Sequence, residues 1–141
     1  MRHPQILVYE RDGRLARLLS ESAEANRWVL REPRQIENCL ALLREGGPSV
    51  LVLRVGSKLE TELGLLEQAH RLRPDAAIFA VGDVENDPLA GLLWDLGAHY
   101  VLFPPQPREQ LPEIVAHWLN SAAQAPQTED NDATPRPAGA G

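Results

Sequence analysis

The sequence predicts an α/β fold, a doubly wound parallel sheet of five strands alternating with five helices that cover both faces. Three observations carry this. Val50-Leu51-Val52-Leu53-Arg54-Val55 is a short apolar run rich in β-branched residues, entered from Gly46-Gly47-Pro48-Ser49 and left through Gly56-Ser57, as expected of a central strand buried on both sides. Four other short apolar runs are separated from it, and from one another, by stretches whose leucines recur at helical spacing. The run ends in a charge: a guanidinium does not sit unpaired inside a sheet, so Arg54 marks the carboxyl end of its strand, the edge at which open parallel sheets hold ligands.

Taken in order, Ile6-Leu7-Val8-Tyr9 is the first strand and Glu10-Arg11-Asp12-Gly13 the turn that ends it, with Asp12 placed to cap a helix carrying Leu15, Leu18, Leu19 and Ser22. Trp28-Val29-Leu30 is the second strand. Ile36, Cys39, Leu40 and Leu43 mark the second helix, stopped at Gly46-Gly47. After the central strand come a third helix on Leu59, Leu63, Leu66 and Ala69, ended by Pro74, and a fourth strand, residues 76–81. Leu89, Leu92, Leu93 and Leu96 carry the fourth helix to Gly97-Ala98, Tyr100-Val101-Leu102-Phe103 is the fifth strand, and Leu111, Ile114, Val115, Trp118 and Leu119 face the core from the fifth helix. From Ala122 no apolar residue is larger than alanine, so residues 1–121 are expected to form the domain and 122–141 a disordered tail.

The totals exclude several classes. With 14 basic against 20 acidic residues and a net charge of −6, no basic stripe suits nucleic acid. No apolar run approaches the roughly 20 residues needed to cross a membrane, so a cytoplasmic protein is expected. The single cysteine, Cys39, lies among leucines and reads as a buried structural thiol. His3, His70, His99 and His117 show no ligand spacing, and the turn after the first strand has neither a dinucleotide nor a Walker pattern, so no metal or cofactor is expected.

The order and spacing of these elements, together with Gly97-Ala98 before the fifth strand and Pro105 just after it, resemble the receiver domain of bacterial response regulators, from Gln5 to about Leu119. The resemblance implies a flavodoxin-like sheet of order 2-1-3-4-5. It also implies a site: an acidic pair after the first strand that binds Mg²⁺, a phosphoacceptor aspartate ending the third, a hydroxyl ending the fourth, and a lysine before the proline after the fifth. By those spacings the pair falls on Glu10 and Arg11, the acceptor on Arg54, the hydroxyl on Gly82 and the lysine on Pro104. A guanidinium has no lone pair with which to attack phosphorus, so the phosphoryl chemistry is lost and no enzymatic activity is expected.

The favoured reading of Arg54 is an internal ion pair with Glu10, Asp12 or Asp83, Glu10 being the preferred partner. The alternative is a sensor that holds a small anion or nucleotide on Arg11 and Arg54. The functional expectation is a degenerate, non-enzymatic receiver that signals through contacts with another regulatory protein or a second copy of itself. The candidate contact surface, placed on the last two helices and the fifth strand, is Leu93, Trp94, His99, Tyr100 and Trp118. A further reading makes the chain the receiver-like part of a larger regulator, with its proline-rich tail as linker.

Overall fold

A computed structural model describes residues 3–129, with side chains to residue 122. The strands are β1 (Gln5–Tyr9), β2 (Val29–Arg31), β3 (Ser49–Val55), β4 (Ala77–Gly82) and β5 (Tyr100–Leu102). They form one parallel sheet in the order β2-β1-β3-β4-β5, as expected. The helices are α1 (Arg14–Asn26), α2 (Ile36–Glu45), α3 (Leu59–Leu72), α4 (Asp87–Asp95) and α5 (Leu111–Glu129), the last entered through a single 3-10 turn at Arg108–Gln110. The tail expected from Ala122 is helical as far as Glu129, and its remainder lies outside the described residues.

Alternation along β3 builds two cores. Val50 and Val52 face α1 and α5, where they join Ile6, Val8, Phe79, Leu15, Leu19, Leu111, Val115 and Leu119. Leu51, Leu53 and Val55 point the other way, toward Cys39 and Leu43 of α2, Leu65 and Leu66 of α3, and Leu93 of α4. A leucine or valine buried this completely contributes about 1.5–3 kcal/mol relative to exposure, so β3 anchors both layers. Cys39 is fully buried, and that burial pushes its thiol up to about 12.

Most strand ends shift by a residue from expectation, and two of the shifts have evident local reasons. Trp28 stays out of β2 because α1 closes on Arg27 in the left-handed region (φ 60°), with the Trp28 N–H donating to Ala23 O at 2.9 Å. Phe103 leaves β5 to lie against β4. Gly97 enters β5 at φ 116°, a conformation a side chain resists, with the His70 ring where a Cβ would stand.

Candidate functional site

The carboxyl ends of β1, β3 and β4 bring the predicted charged residues to one edge of the sheet. Arg54, its side chain 20% exposed, points into that edge between two loops. Its Nη1 donates to Asp12 Oδ2 at 2.5 Å, while Nε and Nη2 both donate to Asp83 Oδ2 at 3.1 and 2.8 Å. Asp83 in turn accepts through Oδ1 from Arg108 Nη2, which also reaches Gly82 O at 3.0 Å. Positive and negative groups thus alternate across four segments: Asp12, Arg54, Asp83, Arg108. The hydrogen bond from Arg54, followed by the Arg14 main-chain N–H, holds the Asp12 carboxyl down at about 2. Burial works against ionising Asp83, but the guanidiniums of Arg108 and Arg54 outweigh it and keep that carboxyl below its ordinary range. Hydrogen bonds to Asp12 and Asp83 fix Arg54 still more firmly as a cation.

Glu10, the expected partner of Arg54, is not its partner. Its two oxygens accept instead from the main-chain N–H groups of Leu15 and Ala16, both at 3.0 Å. The first turn of a helix offers unpaired N–H groups and a positive dipole end, and Gly13, the residue at the cap, has no side chain to satisfy them. Glu10 therefore caps α1, the role expected of Asp12, while Asp12 makes a short turn to Arg14 N and turns its other oxygen to Arg54. Glu62 repeats the device unannounced. Only 5% exposed, it clasps the loop after β3 by accepting from Gly56 N at 2.8 Å and Lys58 N at 2.9 Å.

At the hydroxyl position, Gly82 is buried against Phe103, and a Cβ there would overlap the ring. The space a serine or threonine needs is already filled. Pro104, at the lysine position, has no side-chain donor.

Glu10, Asp12, Arg54, Glu62 and Asp83 border a cleft of about 790 Å³, whose lining also includes the polar Arg11, Arg34, Ser57 and Lys58 and the largely apolar Tyr9, Val55, Leu89 and Phe103. A Mg²⁺ ion does not fit the residues present. The oxygens it would need are committed to main-chain N–H groups at Glu10 and to guanidiniums at Asp12 and Asp83, and Arg54 adds its charge beside them. Among the described residues no cluster of His, Cys, Asp and Glu is placed to hold a metal, and no helix is long and apolar enough to cross a membrane.

Neither a protein-family model nor a curated protein matches the chain. Solved structures do. The chain is similar to a CheY-like response regulator receiver domain protein from Methanospirillum hungatei JF-1, at 17% identity over 86% of this chain and 98% of that one, with a TM-score of 0.70. It is similar to the receiver domain of the Francisella response regulator 1452, at 15% identity over 84% and 98% of the two chains, TM-score 0.67. A response regulator protein from Burkholderia pseudomallei, solved with a phosphorylated aspartic acid, calcium ion and citrate, matches at 20% identity over 94% of this chain and 75% of that one, TM-score 0.65. The fold is that of a receiver domain.

On this receiver fold the expected contact surface divides. Leu93 is fully buried and belongs to the core beneath α4, which corrects its assignment to the surface: it is the side chain α4 turns most directly onto the sheet. Leu92 and Trp94 lie outward at 42% and 49% exposure. Trp118 packs half-buried beside α1 and α5 residues and meets the His99 ring, their centroids 5.5 Å apart. His99 Nδ1 accepts from the Ile78 main-chain N–H at 3.1 Å, so this histidine is occupied in joining β5 to β4. Tyr100 is half-buried and stacks against Phe79 with the rings tilted. Arg108 and Glu62, which sequence reasoning passed over, carry no periodic signal. The hint available for Glu62 was an acidic residue four positions after Lys58, inside the first turn of a helix that lacks a capping side chain.

Proposed function

We propose that this protein is a phosphorylation-independent regulator built on a receiver fold, acting by contact with another signalling protein in the cytoplasm or with a second copy of itself. The observation that carries this is Arg54 at the acceptor position, bound by Asp12 and Asp83 in the space where a metal and a phosphoryl group would otherwise meet. A fixed cation does permanently what a metal and a lysine do transiently, so the loops have no phosphoryl signal to answer. The state of such a protein is set by which conformer its partner binds better, and by how much of either is present. The outward apolar pair Leu92 and Trp94 on α4 is the contact offered, with Tyr100 and Trp118 shaping the adjoining edge.

Incubating the purified protein with acetyl phosphate and Mg²⁺, followed by intact-mass measurement, tests the first half of the reading. No adduct is expected. A phosphoryl adduct that survives gel filtration would overturn it.

A further inference from the structure

We propose that the cleft at the carboxyl edge takes a phosphate-bearing small molecule of nucleotide size, its phosphates on Arg11, Arg34 and Lys58. The proposal stands apart from the protein-contact reading, since it uses the opposite side of the sheet edge from α5 and none of the outward apolar residues of α4.

The charges of the cleft sort into two sets. Arg54 and Arg108 are consumed by Asp12 and Asp83, and the oxygens of Glu10 and Glu62 by main-chain N–H groups, so these six side chains close on themselves. Arg11, Arg34 and Lys58 do not. None of the three has a carboxylate within ion-pairing distance among the described residues, although acidic residues outnumber basic ones in the chain. They are also contiguous: Arg34 Nη1 donates to the Arg11 carbonyl at 3.3 Å, Arg11 Nη1 donates to Ser57 Oγ at 3.2 Å, and Lys58 follows Ser57. Three exposed cations gathered on one wall repel one another, and a multiply charged anion relieves that repulsion while matching the guanidinium forks. The volume far exceeds one phosphate ion and falls in the range of small-molecule sites. The half-buried Tyr9 and Leu89, backed by the buried Val55 and Phe103, offer an apolar, partly aromatic surface for the rest of such a ligand. Phosphates on a cationic wall and a ring on an apolar surface describe a nucleotide more closely than a bare polyphosphate.

Titration calorimetry of the full chain in buffer containing EDTA, with ATP, tripolyphosphate and adenosine as probes, tests this. ATP is expected to bind at one site, more tightly than tripolyphosphate, with adenosine giving no saturable heat and rising salt weakening both polyanions. Arg34→Gln and Lys58→Gln should each weaken ATP about tenfold, the loss of one charge-assisted hydrogen bond, while Arg17→Gln, on the exposed side of α1, leaves it unchanged. Melting curves of the variants, unshifted because these side chains are exposed, separate lost binding from lost fold. Absence of saturable ATP binding, binding to the Arg34→Gln and Lys58→Gln proteins as tight as to the parent, or tripolyphosphate binding as tightly as ATP would each overturn the assignment.

Discussion

Arg54 makes three hydrogen bonds to two carboxylates that belong to different loops, so its removal leaves both Asp12 and Asp83 without their shared counter-charge. Arg54→Ala is expected to cost about 1–3 kcal/mol, because stranded charged partners lose more than the bond itself. The partner is what a thermodynamic cycle reads. In urea denaturation the Arg54→Ala and Asp83→Ala changes should couple by about 1 kcal/mol, whereas Arg54→Ala and Glu10→Ala should add; additivity in the first pair, or coupling in the second, would contradict the geometry. The sequence placed Arg54 at the mouth of the sheet because a charge closing an apolar run has nowhere else to go. It favoured Glu10 over Asp12 and Asp83 as the partner, and the structure pairs Arg54 with the latter two. That choice was settled by the free N–H groups of α1, which took both Glu10 oxygens, and by Arg108, whose reach to Asp83 depends on the loop geometry after β5 and leaves no trace in local pattern.

At the scale of elements, the strands and helices were legible because each is short, strongly periodic and punctuated by Gly, Pro or Asn. Asn86 illustrates the punctuation, accepting from Leu89 N at 3.1 Å to start α4. The inward and outward sides of α4 were not fully legible. The three leucines of so short a helix and Leu96 at its end cannot all reach the sheet, and only Leu93 is fully buried, with Leu89 and Leu96 partly so and Leu92 left outside beside Trp94. Trp94→Gln should therefore leave the melting temperature nearly unchanged, since half its surface is already wet, while abolishing recovery of a partner and any self-association seen by sedimentation velocity. Trp118→Gln should instead lower stability, because that ring fills space between α5, β5 and His99. A Trp94→Gln protein that unfolds, or that keeps every association of the parent, would remove α4 from the contact surface.

Across the whole molecule a histidine at one end of the sheet and ion-paired carboxylates at both should make acid loosen the fold in two ranges. The carboxyl end is held by ion pairs. The folded-state pKa of Asp12 lies at about 2, well below its ordinary value, so its contribution is complete above the unfolded pKa of about 4 and is lost as pH falls through the folded one. Asp83 shifts in the same direction and acts in the same acid range. The amino end is fastened by neutral hydrogen bonds, among them Gln5 Nε2 to Leu42 O and Ser49 Oγ, and Ile78 N–H to His99 Nδ1, and by Arg73, which donates to the carbonyls of Leu43, Gly46 and Gly47 and pairs with Asp75 at 3.0 Å, holding that exposed carboxyl below its ordinary range. Burial, and after it the neighbouring His70, lowers the His99 pKa from its ordinary value of 6.5. A histidine kept neutral by the fold contributes fully above its unfolded pKa, and that contribution disappears as pH drops through the depressed one, when Nδ1 takes a proton and the Ile78 N–H loses its acceptor. Stability measured by urea denaturation between pH 8 and pH 2 should thus fall in two stages, one beginning below about 6.5 and one below about 4. His99→Gln should remove the first stage and leave the second; Arg54→Ala should shrink the second to what Asp75 contributes and leave the first. Loss of both stages in either variant would mean that the two edges are not fastened independently.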